Sequence, residues 1–430
     1  GTVFYLLEAV EEGKNPPSLP RINQFKVFEK PISTSVPEGT SRVFWVSSFT
    51  RDSVGNISRQ IQRWSFLVDK QYLYVIEGKG VGGKGSRVSP YTNLETALEA
   101  ASKGTRTRIR IATGTYRITK PILVRRDLVL FGGFDRNGWK PEGGTSKILI
   151  DPNSFKDVSA YFSIEGATLK VDRCTIEGGD GKGKTVFSVR NGTLEFSSGS
   201  VMVSGKDRVL DQENGSVTLN RSSFQSNRMQ TEALLTASGG TFQSKESSFS
   251  YQQSDRGGSL LQFLKSSVVL DSVTLSPGEG ETSMGINAKD SELKIQFSTI
   301  HTGRGTLVAY GLRLQKGTLM MNRSEIKQTP DAYISIGIGL FESKGDITGT
   351  TFRIGGRYGA QALEVRRSEL VLRESLLEGA STEDYLYYGT FEDASLRFIG
   401  NVVRKGSSAE ITAFQLLNSR MEGEKNTFDF

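Results

Sequence analysis

The 430-residue sequence holds one cysteine, Cys174, and one histidine, His301. A single cysteine excludes an internal disulfide framework and every metal centre built on several thiolates. A single histidine removes His-rich metal sites and argues against Ser-His-Asp or Cys-His catalysis. No run of residues approaches the roughly 20 apolar positions of a membrane-spanning helix. Proline is sparse, at 11 residues. Gly1 begins no signal peptide, so an exported parent would have lost its leader or carry it upstream. Apolar residues make up 36%, below the usual ~45–50%, although that reference also counts glycine. Glycine itself is in excess, 48 residues where average usage of roughly 7% would give about 30. That excess needs a structural reason.

Charge is unevenly spread. The net +7 comes from 54 basic and 47 acidic residues. Between Ser102 and Lys147 eleven basic residues (Lys103, Arg106, Arg108, Arg110, Arg117, Lys120, Arg125, Arg126, Arg136, Lys140, Lys147) face only Asp127, Asp135 and Glu142. This stretch therefore holds an excess of eight, and the rest of the chain is close to neutral. An excess of this kind suits an anionic partner, and the plainer alternative is a solvated outer face.

The glycines find their reason in an internal repeat. From residue 167 the segments ATLKVDRCTIEGG, GTLEFSSGSVMVSG, GSVTLNRSSFQSN and GTFQSKESSFSYQ open a series that runs to the end of the chain. Its first core positions are Leu169, Leu194, Val217, Phe242, Val268, Leu293, Leu319, Ile347, Leu370, Leu396 and Met421, spaced 25, 23, 25, 26, 25, 26, 28, 23, 26 and 25 residues apart. Seven positions further on, all eleven residues are apolar, from Ile176 and Val201 to Val403 and Phe428. The column two positions on is mostly apolar, as in a strand with one buried face. The column five positions on is small or polar: Cys174, Ser222, Ser247, Ser298, Ser324, Ser375, Asn401 and Asn426. Such a column suits a side-chain ladder satisfying backbone groups at a bend, and Cys174 reads as one of its rungs rather than a nucleophile. A further short apolar segment precedes each unit, such as Val186-Phe187 or Leu363–Val365. Two or three short strands per ~25-residue period predict a parallel β-helix, one coil per repeat.

The pattern resembles right-handed parallel β-helices of the pectate-lyase type and of bacterial surface proteins. Residues 72–139 add a strand, Ser89-Pro90, a helix N-capped by Thr92 or Asn93 with Leu94, Ala97, Leu98 and Ala101 on one face, a basic strand, Leu130-Phe-Gly-Gly-Phe-Asp135 and Trp139. This order resembles the N-terminal capping unit of extracellular bacterial β-helix proteins. Residues 1–70 resemble the small immunoglobulin-like modules related to the C-terminal domain of chitobiase-type proteins. That resemblance rests on Tyr5, a Pro-rich loop, Pro37-x-Gly39, Asp52-x-x-Gly55-Asn56 and Val68-Asp69-Lys70. It implies a spacer without catalytic residues. The expected architecture is thus all-β: an immunoglobulin-like β-sandwich over 1–70, then a right-handed parallel β-helix of about 11–13 coils over 71–430. Residues 71–150 form its cap and first coils, and 160–430 its regular coils.

Candidate sites are few. Neighbouring coils do not both supply acids in the outward columns, and Asp207, Asp211 and Glu213 are close only in sequence. Lyases and hydrolases need converging carboxylates, often with calcium or an Arg or Lys base. The loop Gly178-Gly179-Asp180-Gly181 could touch calcium but reads more plainly as a turn; no cofactor or metal is otherwise indicated. His301 reads as an exposed histidine in a turn. Two binding surfaces are named: Arg106, Arg108 and Arg110, alternating outward on one strand with Arg125 and Arg126 a coil away, and the rings of Tyr385, Tyr387 and Tyr388. The expected function is a non-catalytic, exported bacterial surface or envelope protein, scaffold or adhesin. Its partners would be glycans or other anionic ligands, with further envelope proteins as companions and no nucleic acid. The alternative is a polysaccharide lyase or glycoside hydrolase acting on acidic polysaccharide.

Overall fold

The computed structural model describes residues 2–11, 17–18, 24–27, 41–57, 62–69, 71–78, 83–141, 143–151, 155, 158–179, 183–255 and 257–429. They form two compact units, Gly1–Ala112 with Asp135–Lys140, and Thr113–Phe134 with Pro141–Phe430. The division at 70/71 read from the sequence falls inside the first unit.

The first unit contains a four-stranded antiparallel sheet in the order Lys26–Val27, Thr2–Glu11, Ser41–Arg51, Gln62–Asp69. The turn after Ser41–Arg51 follows from Asp52, whose Oδ1 accepts from the N–H groups of Val54 at 3.0 Å and Asn56 at 2.7 Å. Pro37-x-Gly39 and Lys70 lie outside the described residues. A parallel strand pair, Tyr72–Val75 with Arg108–Ala112, is joined through the helix Leu94–Lys103. Asn93 caps this helix, its side chain accepting from Glu95 N–H at 2.7 Å, and Leu94, Ala97, Leu98 and Ala101 form the buried face. Trp139 packs edge-on against Tyr74, with ring centroids 4.7 Å apart.

The second unit is an all-β parallel solenoid of the right-handed type with about 12 turns. Each regular coil holds three strands, for example Thr193–Ser197, Ser200–Gly205 and Arg208–Glu213. Each pairs in parallel with its counterpart in the next coil, so Leu194 sits beside Val217 and Val201 beside Phe224. The apolar columns point inward and stack: Phe224 and Phe249 follow one another in one column at 5.1 Å, and Phe196 of the neighbouring column meets Phe224 at 5.5 Å. Each such ring contributes about 2–3 kcal/mol by burial.

The polar column forms the expected ladder. The N–H of one rung donates to the side-chain oxygen of the next, as in Val273→Ser298 at 3.0 Å, Thr350→Ser375 at 3.1 Å and Ser375→Asn401 at 2.9 Å. Each serine hydroxyl donates to the carbonyl two residues before it, as Ser375 does to Arg373 at 2.8 Å. A second ladder runs down the other corner through Ser266, Ser291, Ser343, Ser368 and Ser419 with the same bonds, for example Ser343 N–H→Ser368 Oγ at 2.9 Å. Both corners turn through a left-handed residue that is mostly not glycine: among the described residues 18 non-glycine residues of the solenoid have positive φ, including Arg173, Glu246, Arg323 and Lys425. Their strain, about 1–2 kcal/mol each, is offset by the ladder and by an N–H bond to the adjoining coil, such as Glu246→Asp271 O at 2.9 Å. Glycine therefore marks close approach as well as bends. A Cβ at Gly199 would lie 2.2 Å from the Cys174 carbonyl oxygen.

One coil departs from the sequence alignment. Leu319 pairs with Gly345, and Met321 with Ile347, so Ile347 is the second core position of its coil, not the first. Phe352, not Ile354, continues the column of Ile326 and Leu377. Gly345 leaves a space that Leu340 and Leu370 fill, each with a Cδ1 within 2.9 Å of where a Cβ would stand. An apolar template cannot register a glycine whose neighbours supply the apolar surface.

Candidate functional site

At least four of the eleven cations in the basic stretch pair with acids, three of them with acids distant in sequence. Lys103 pairs with Glu99, Arg125 with Glu165 at 3.1 Å, Arg136 with Glu77 at 2.8 Å and Lys147 with Glu177 at 2.7 Å. Arg106 precedes the strand that begins at Arg108, so the three arginines do not alternate outward along one strand. Arg110 lies 3.8 Å above the ring of Tyr72 and donates to the Tyr74 hydroxyl at 3.3 Å, while Arg108 is exposed. Arg125 and Arg126 are exposed residues of the second unit.

The acids Asp207, Asp211 and Glu213 do not converge. Asp207 is fully buried and accepts from the N–H groups of Gly183 at 3.0 Å and Lys184 at 2.8 Å, clamping a loop. Asp211 accepts from Thr236, and Glu213 pairs with Arg190. Asp180 and Gly181 of the suggested calcium loop lie outside the described residues. Among the described residues no group of three His, Cys, Asp or Glu is placed to hold a metal. His301 lies at the end of the strand Thr299–His301 and is half-buried, not an exposed turn residue. Cys174 is buried, and burial pushes its thiol up to about 12, so it is no nucleophile at neutral pH.

The tyrosines are brought together. Each of three successive coils places a tyrosine at or just before its third strand: Tyr333 ahead of Ile334–Phe341, Tyr358 ahead of Gly359–Arg366, and Tyr385 opening Tyr385–Glu392. Tyr333 and Tyr358 are 44% and 38% exposed and stack at 5.0 Å and 6°. Tyr358 meets Tyr385 edge-on at 6.3 Å, and Tyr385 stacks on Tyr387 at 5.0 Å. Gly359 is the seat of this row: a Cβ there would lie 2.2 Å from the Tyr385 ring. Tyr388 faces the opposite way, fully buried, its hydroxyl donating to the Arg404 carbonyl and accepting from Gly406 N–H at 3.1 Å. It belongs to the core and leaves the sequence-named aromatic surface. Tyr333 and Tyr358 join that surface.

Beside the row lies a groove of about 400 Å³, lined among others by Gln361, Glu364, Arg366, Tyr385, Tyr387, Thr390 and Glu392. Glu364 is only 7% exposed; it accepts from the Tyr310 hydroxyl at 3.0 Å and pairs with Arg366 at 2.8 Å. Tyr387 donates to Glu410 at 2.9 Å, and Tyr358 hydrogen-bonds Asp384. These bonds hold both phenols above their usual range, as burial and Glu364 hold Tyr310. A phenol that already donates to a carboxylate is a poor general base, so Tyr358 and Tyr387 offer rings and hydroxyls for recognition. A second groove, of about 550 Å³, follows a corner where Arg367 pairs with Glu342 and Lys344 with Glu369.

Fold and site together define a parallel β-solenoid with an outward tyrosine row. No family model and no curated protein matches the chain. Among solved structures it is similar to the periplasmic alginate epimerase AlgG, at 11% identity over 97% of this chain and 100% of that one, with a TM-score of 0.53. It is also similar to tailspike protein 3 of bacteriophage CBA120, at 11% identity over 86% and 65% and a TM-score of 0.41. The pectin methylesterase from Aspergillus niger matches at 14% identity over 65% and 86%, with a TM-score of 0.39. Identity at this level is a likeness of fold. Among the described residues no helix is long and apolar enough to cross a membrane.

Proposed function

We propose that the chain is a non-catalytic glycan-binding scaffold of an exported bacterial surface or envelope protein, and that it holds its glycan on the outer face around Tyr333, Tyr358, Tyr385 and Tyr387. In this reading residues 1–70 are an immunoglobulin-like spacer and the helix Leu94–Lys103 caps the solenoid. The observation that carries it is the tyrosine row crossing successive coils beside a groove of mixed polar and apolar lining. Coils rise by about 4.8 Å, so the row offers repeated contacts along the axis, as an extended polymer requires. Aromatic rings flanked by hydroxyl, amide and carboxylate groups are a common recognition surface for sugars, whose faces are apolar and whose rims are polar.

The test is a glycan array probed with the full chain, its Tyr358→Ala variant and its Tyr385→Ala variant. Each substitution should weaken binding about tenfold, as loss of roughly 1.4 kcal/mol of contact does. The bound glycans are then analysed for new reducing ends or unsaturated ends. Turnover would overturn the non-catalytic reading in favour of a lyase or hydrolase, and an array without binders would overturn the glycan reading.

A further inference from the structure

We propose that the tyrosine groove takes a glycan carrying free amino groups, a polymer of unacetylated hexosamine, and discriminates against acidic polysaccharide. The inference deepens the function proposed above and rests on it.

The argument is one of charge already committed. Among the described residues lining the groove, Arg366 is the one cation, and it is shared between Glu364 at 2.8 Å and Glu392 at 3.6 Å. Glu364 is closed in, with one oxygen on Tyr310 and the other on Arg366. Glu392 has a side chain 45% exposed and only the longer contact with Arg366. Glu410 stands at the Tyr387 hydroxyl, and Asp384 at that of Tyr358. Glu410 and Asp384 stand outside the groove lining itself, where a ligand meets two carboxylates, Glu364 and Glu392, against the one cation, Arg366, together with the rings of Tyr385 and Tyr387.

An ammonium group gains twice in such a place, from the carboxylates and from the ring faces. A uronate would bring a further negative charge to a guanidinium that two carboxylates already hold, a like-charge arrangement that selects against it. The basic stretch does not alter this, because it belongs to residues 103–147.

The experiment titrates the full chain calorimetrically with three oligosaccharides of equal length: a glucosamine oligomer with free amines, its fully N-acetylated counterpart and an oligouronate. The free amine should bind at least tenfold tighter than the N-acetylated form. Glu392→Gln should abolish that preference, bringing the free-amine and N-acetylated affinities within about twofold of each other, and Glu410→Gln, at an exposed position, should reduce it in the same direction. Equal or tighter binding of the N-acetylated oligomer or the oligouronate, still lost in Tyr358→Ala, would refute the amine preference and leave the glycan reading standing. Failure of all three to bind, in a chain that binds no glycan on the array, would remove both.

Discussion

Replacing Asn401 by alanine tests the corner ladder at its most demanding rung. Asn401 is fully buried. Its Oδ1 accepts the Ser375 N–H at 2.9 Å, and its Nδ2 donates to the Leu372 carbonyl at 2.9 Å. Alanine leaves the Ser375 N–H without an acceptor, at about 1–3 kcal/mol for a buried orphan donor, and loses the second bond, about 1 kcal/mol more. The expected loss is roughly 2–4 kcal/mol, which speeds amide exchange at Ser375 by about thirty- to several-hundred-fold. Serine is the informative control. Its Oγ can accept the same N–H, as Ser375 does for Thr350 at 3.1 Å, so Asn401→Ser should lose only about 1 kcal/mol. Hydrogen-exchange mass spectrometry on peptides spanning 374–377 reads the effect locally, which suits a solenoid whose coils open segment by segment. Unchanged protection in Asn401→Ala, or equal damage by serine and alanine, would refute the ladder as a source of stability.

Other consequences are equally open to measurement. Gly359→Ala should destabilise the chain by about 1–3 kcal/mol through overpacking, and denaturation of Gly359→Ala/Tyr385→Ala should show that removing the ring cancels that penalty. Burial pushes Cys174 up to about 12, so its contribution is intact below the unfolded thiol value and is lost as pH rises above about 9, at up to ~1.4 kcal/mol per pH unit. Denaturation midpoints of the wild type and Cys174→Ser should therefore diverge between pH 9 and 11, and the folded wild type should resist thiol reagents at pH 8. His301 is held below its usual value, chiefly by burial and then by Lys327. The unfolded chain then takes up the proton first, so stability should fall as pH drops below about 6.5, and His301→Gln should flatten that arm of the profile.

The solenoid was legible because two constraints repeat without loss: an inward side chain at every second position, and a small polar group wherever the chain bends. Asn93 and Asp52 could be read because each acts on backbone within a few residues of itself, and the serine column because its bonds to the next coil recur at the repeat spacing. Ser266, Ser291, Ser343, Ser368 and Ser419 stand two residues before the first core position, or before the coil's true one, and the same reasoning could have found that second ladder. The Gly345 coil was misaligned because its core is supplied by neighbours. Charge misled in another way. Counting along the chain cannot register that Arg125 answers to Glu165, forty residues on. Tyr385 and Tyr387 stood out as a cluster, whereas Tyr333 and Tyr358 repeat at coil spacing within turns of uneven length. There the only available signal was the recurrence of tyrosine 25 and 27 residues apart.

Those uneven turns have a consequence for how such a chain can change. From the third strand of one coil to the first of the next there are two residues throughout the regular coils, such as Asn191 and Gly192 or Lys316 and Gly317. Between the second and third strands the gap ranges from two residues at Lys206-Asp207 to six at Gln328–Tyr333. Bends that carry a ladder tolerate no insertion, because one extra residue would carry the rung at that bend away from its partners in the adjoining coils. The remaining bend is free of that bookkeeping, and it is where Tyr333, Tyr358 and Asp384 sit. The molecule thus separates a ruler from a keyboard: segments exchanged at 328–333, 355–358 or 380–384 would rewrite what the surface touches without altering the stacking that spaces the keys.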